Sequence, residues 1–84
     1  MNWREYIDTD PTVLSGKPRI EGTRLSVDFL LDLFAEGWTE RRILENYPHL
    51  SRESLRALFA FSAERMRDEA IYPIIYPMNI GTPS

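Results

Sequence analysis

Three short stretches constrain this chain more than any other feature: LSVDFL (25–30), WTERRI (38–43) and LSRESL (50–55). Each places a hydroxyl residue, Ser26, Thr39 or Ser51, where it can accept a hydrogen bond from an unpaired amide of a first helical turn. Each also sets an apolar residue before the cap and another four positions after it. The pairs are Leu25 with Leu30, Trp38 with Ile43, and Leu50 with Leu55, the spacing of a hydrophobic staple. The chain is thus predicted to start three helices. The spacing is a local start signal and not a sequence repeat.

The predicted ends are equally marked. Val27, Leu30, Leu31 and Phe34 follow helical periodicity, and Gly37 closes that helix. A short second helix spans about 40–46 and stops at Pro48, because a residue before proline avoids the helical region. The third runs from 52 to about 69, with Leu55, Leu58, Phe59, Phe61 and Met66 expected on its apolar face.

The first 24 residues read instead as strands and turns. Trp3–Ile7, Thr12–Leu14 and Pro18–Ile20 are β-prone, separated by Asp8-Thr9-Asp10-Pro11 and by glycines. The stretch SGKPRIEGTR (15–24) invites a phosphate-loop reading. That motif needs a glycine five before its Gly-Lys pair and a Ser or Thr after it, and here Pro11 and Pro18 stand there. Tight chain reversals, with Lys17, Arg19 and Arg24 solvated or ion-paired, fit better; a partner-binding arm is the alternative.

At 84 residues one small domain is expected. We assign 1–70 to it, with a β-arm over 1–24 and an extended apolar tail over 71–84. In the tail Ile71-Tyr72-Pro73 recurs as Ile75-Tyr76-Pro77 without a charged side chain. The prolines forbid a helix there. Tyr72, Ile75 and Tyr76 are the candidate partner-binding anchors, whether the tail packs on its own bundle, a second subunit or another protein.

A chain this small buries a modest share of its surface and gains from a second copy. The absence of cysteine suits a reducing cytoplasm. The opening MNWRE has no signal-peptide core, and no run approaches the ~20 apolar residues of a membrane helix. A soluble cytoplasmic protein is expected.

A short helix, a tight turn and a longer helix within a three-helix bundle describe a helix-turn-helix. Its second helix would present Ser51, Arg52, Glu53, Ser54 and Arg56 to a major groove, with Arg41 and Arg42 reaching phosphates. Arginine serves both tasks through its planar fork. The competing reading is a solvated face on a bundle that binds only protein. The net charge of −3 opposes non-specific nucleic-acid binding, but all six basic residues after position 39 are arginines between 41 and 67.

Catalysis finds little support. His49 is the only histidine and lies in a turn, with no cysteine to pair with it. Asp8 and Asp10 suit backbone capping. No catalytic, metal or cofactor site is assigned, and a non-enzyme is expected.

Together Asp10-Pro11, Gly16-Lys17-Pro18, Ile20, Gly22-Thr23-Arg24, Gly37, Ile43-Leu44, Tyr47-Pro48 and Leu50-Ser51 make the stretch from about 8 to 63 resemble the domain-of-unknown-function family 433 of bacteria and archaea. The resemblance implies a mainly α, homeodomain-like three-helix fold behind a small β element. It also implies an antitoxin that binds a PIN-like ribonuclease toxin and represses its own operon. Carried over, Gly16–Arg24 is a structural block, and Arg52, Ser54 and Arg56 are recognition-helix residues. A homodimer on operator DNA is expected; a protein-interaction adaptor without DNA binding is the rival, and RNA binding through the same arginines a weaker one.

Overall fold

Helix α1 (Val27–Ala35), helix α2 (Glu40–Asn46) and helix α3 (Arg52–Asp68) follow a two-stranded sheet in a computed structural model that describes residues 1–68. All three caps form as expected. The hydroxyl of Ser26 accepts from the amide of Phe29 at 3.1 Å, Thr39 from Arg42 at 3.1 Å, and Ser51 from Ser54 at 3.0 Å. Gly37 ends α1 at φ +98°, where its amide donates to Phe34 O and that of Trp38 to Leu33 O. This is a Schellman closure, satisfying two carbonyls the helix leaves open.

Strands β1 (Ile7–Asp8) and β2 (Arg19–Ile20) pair antiparallel, Ile7 opposite Ile20 and Asp8 opposite Arg19. On its other side β2 bridges to Leu25 and Ser26, and the carbonyl of Pro18 accepts the first amide of α1. The Gly-Lys stretch is therefore a clamp between sheet and helix. Arg19 is its centre, 13% exposed, with Nε donating to Asp8 at 2.9 Å and a terminal nitrogen to Thr23 O at 2.9 Å. Thr23 ties the turn further by donating to Ile20 O and accepting from Leu25 N.

Two expected strands are corrected. Trp3–Glu5 is a 3-10 turn, because Asn2 caps it by accepting from the Arg4 amide, and only Ile7–Asp8 is extended. Of Thr12–Leu14, only Val13 bridges, to Asp10. The Asp10 carboxylate accepts the hydroxyl of Thr12 at 2.7 Å and its amide at 2.9 Å, which folds the backbone back. Those bonds, the hydroxyl's first, hold the Asp10 carboxyl below its ordinary value of 3.8, so it stands as a capping anion. Leu14, Ser15 and Gly16 then all take positive φ (54°, 56° and 80°), a left-handed turn closed by Lys17 N to Leu14 O.

The core joins Ile7 and Ile20 of the sheet to Val27, Leu30, Leu33, Ile43, Leu50, Leu55, Ala57 and Leu58. Leu30, Ile43, Leu55 and Leu58 are fully buried, each worth about 1.5–3 kcal/mol relative to exposure. The apolar face expected of α3 is only half covered. Phe59 is 48% and Met66 56% exposed. Helix length accounts for Met66: at 1.5 Å per residue α3 extends about 26 Å, whereas α1 covers about 14 Å; Phe59 lies mid-helix and rests its ring against Phe34 of α1 at 5.1 Å. The overhang is met by the amino-terminal turn, whose Trp3 ring stacks edge-on against Phe61 at 4.8 Å.

Candidate nucleic-acid interface

The face built by α2, the turn 47–51 and the start of α3 is held from beneath by Ile43, Leu50, Leu55 and Leu58, all buried. The turn leaves α2 through Tyr47, whose carbonyl accepts the amide of Leu50 at 2.9 Å. Leu50 then plugs the core and Ser51 opens α3. Pro48 and His49 lie exposed at the tip, as a turn residue at 49 requires.

Four arginines point outward from this frame. Arg52 and Arg56 are one turn apart on α3, on a single exposed stripe. The guanidinium of Arg52 approaches Glu40 at 3.6 Å yet its side chain stays 67% exposed. Arg56 makes no ion pair among the described residues. Arg41 pairs along α2 with Glu45 at 3.3 Å. Arg42 lies over the Trp38 ring at 3.8 Å. Exposed pairs of this kind are screened by solvent and exchange partners readily.

Ser51 is exposed beside the arginines, whereas Ser54 is not. Ser54 is 4% exposed. Its hydroxyl donates to Ser51 O at 2.8 Å and accepts the Ser51 amide at 3.0 Å, while Ser51 Oγ caps the Ser54 amide. This reciprocal box consumes both hydroxyls, so Ser54 is withdrawn from the face that sequence spacing gave it. Position three of a capped helix turns back toward its own cap, a signal already present in S-R-E-S. Tyr72, Ile75 and Tyr76 lie outside the described residues.

Sequence reading missed two supports. Glu40 steers Arg52, and Trp38 seats Arg42 while also packing on the core. Beyond Arg56 the exposed stripe continues to Phe59, Ala63 and Met66, so it passes from basic to apolar along α3. Among the described residues, no three His, Cys, Asp or Glu side chains gather as a metal-holding group, and no helix is long and apolar enough to cross a membrane.

Comparison with curated proteins gives no match. Among solved structures, the chain is similar to a DUF433 member protein from Anabaena variabilis ATCC 29413, known from a crystal structure at 2.00 Å resolution. The identity is 31% and the TM-score 0.69. The match covers 74% of this chain and 61% of that one. The model of the family described as "Protein of unknown function (DUF433)" matches residues 7–62, a span holding both strands, α1, α2 and the arginine-bearing start of α3. The chain belongs to the DUF433 family.

Proposed function

We propose that this protein is a non-catalytic, cytoplasmic helix-turn-helix antitoxin that binds operator DNA through α2 and α3 and neutralises a PIN-like ribonuclease. The observation that carries the DNA reading is the outward pair Arg52 and Arg56 on the first turns of α3, flanked by Arg41 and Arg42 on α2. A short helix, a five-residue turn and a longer helix form a homeodomain-like reading unit, with α3 in the major groove. Arg56 reads base edges, Arg52 exchanges Glu40 for the duplex, and the α2 arginines reach phosphates. Two copies acting as a homodimer contact half-sites about 34–36 Å apart. The antitoxin role rests on the family resemblance of the Gly-Lys-Pro-x-Ile-x-Gly-Thr-Arg block.

A second reading is a dimeric adaptor that binds only protein. The intrachain pairs Arg52–Glu40 and Arg41–Glu45 favour it, since each occupies an arginine that DNA would need.

Fluorescence anisotropy on duplex DNA from the protein's own promoter separates the two. The DNA reading requires binding that falls steeply with salt and a slope reduced by about one for each phosphate-contacting arginine removed. Arg52→Ala and Arg56→Ala variants that fold and bind as the parent does defeat it. Co-purification with the product of a neighbouring PIN-like gene checks the toxin partner.

A further inference from the structure

Helices α1 and α3 lie side by side and run in opposite senses. Phe34 meets Phe59 at one end, and Val27 and Leu31 face Phe61 and Met66 across an apolar groove of about 390 Å³ at the other. Along this seam Leu31 and Phe34 are half-buried, while Phe59 and Met66 are exposed. A contiguous apolar band of this kind marks a contact surface.

The band has edges of opposite charge. On α1, Val27, Leu31 and Phe34 take the seam, so helical spacing turns Asp32 and Glu36 to the side away from α3, and both are exposed. Asp28 stands between them and the groove, matched by Lys17 at 3.3 Å. On α3, Leu55 and Leu58 are buried and Phe59 and Met66 lie next to them. Arg56 and Arg67 follow on the far side, and Arg65 lines the groove beside Met66, so the α3 edge is basic. Asp32, Glu36, Arg56 and Arg67 make no ion pair among the described residues.

We infer that this band is where two copies of the chain pair, about a twofold axis parallel to the seam. The inference rests on the second reading above, the dimeric adaptor, and gives that dimer its face. A twofold contact sets a surface against itself. An axis along the seam carries α1 of each copy over α3 of the other, and the acidic edge meets the basic edge twice. An axis across the seam would lay acid on acid and arginine on arginine, which costs affinity.

The levels along the seam agree. Phe34 stands beside Phe59, so Glu36 of one copy comes to Arg56 of the other, and Asp32 comes within reach of the long side chain of Arg67. Met66 from each copy lies beside the axis, where an unbranched side chain adapts to the groove. Arg56 is covered in such a dimer. Pairing on this face and DNA contact through Arg56 therefore exclude each other.

Sedimentation equilibrium on the full chain tests the pairing by charge exchange. Asp32→Lys and Arg67→Glu should each weaken self-association about tenfold, since each replaces two attractions in the dimer with two repulsions. Mixed in equal amounts, or combined in one chain, the two substitutions should restore the association of the parent. Phe59→Ser, which leaves the buried core intact, should weaken it as well. Circular dichroism of every variant should match the parent. A dimer indifferent to all three substitutions, or single exchanges that their combination does not rescue, overturns this face and leaves the adaptor reading standing. A parent chain that stays monomeric at the highest concentration reached overturns both.

Discussion

The indole Nε1–H of Trp3 donates to Oε1 of Glu64 at 3.1 Å, joining residues 61 positions apart. Arg4 donates to the other oxygen, Oε2, at 2.9 Å, and its guanidinium lies over the Trp3 ring at 4.3 Å. One glutamate thus ties the amino-terminal turn to the second half of α3.

That arrangement makes stability depend on pH. The Trp3 indole, and after it Arg4 and Arg67, hold the Glu64 carboxyl below its ordinary value of 4.5 against the opposing effect of burial. A depressed folded value means that the stabilisation is complete above 4.5 and is lost as pH falls through the folded value. Glu64→Gln should therefore unfold at lower temperature than the parent at pH 7, with the gap closing in acid below pH 4.5. Carboxyl titration by carbon-detected NMR should show Glu64 moving up toward 4.5 in Trp3→Phe; an unchanged titration would mean that the indole bond does not form in solution.

Ser54→Ala separates stability from recognition. Removing the hydroxyl breaks the reciprocal box with Ser51 and should cost about 1 kcal/mol, read by urea denaturation. Because Ser54 faces inward, DNA affinity of the folded protein should stay at the parent value. Loss of affinity without loss of stability would put Ser54 back on the outer face.

Gly37→Ala tests a purely conformational cost. A Cβ at this position meets nothing within 4 Å, yet φ is +98°. The change should destabilise by about 1–2 kcal/mol through backbone strain alone, with α1 still ending at the same residue by NMR chemical shifts.

Arg19→Met should lower the melting temperature far more than Arg41→Ala. Both remove an ion pair, but Arg19 is largely covered, bonds a carboxylate and a carbonyl at once, and locks β2 to the turn of α1. Arg41 pairs with Glu45 in open solvent. Equal melting temperatures for the two variants would show that the clamp carries no stability.

The helices were legible because their starts are written in neighbouring residues. Ser26, Thr39 and Ser51 act on amides three positions away, and Gly37 answers a backbone need inside its own turn. The arm was less legible because its shape is decided at a distance or by a side chain competing with the ladder. Trp3 turns to meet Phe61, and Asp10 captures Thr12 before the backbone can extend. Met66 follows a helical apolar period, but period carries no information on how long the covering helices are. For the candidate interface, spacing located Arg41, Arg42, Arg52 and Arg56 on the outside, and the capping geometry moved Ser54 inward. The carboxylate of Glu40 belongs to another helix than Arg52, and no local pattern ties them together, whereas Trp38 and Arg42 stand at the i,i+4 spacing that puts them on one face.

The bond between Trp3 and Glu64 also orders events on the ribosome. At ~5–20 residues added per second, Glu64 joins the nascent chain about 3–12 s after Trp3. Through that interval the indole lacks its acceptor, whereas the cap of α1 lies three residues from the amide it serves. The Trp3–Glu64 bond cannot close until the chain has been made through residue 64.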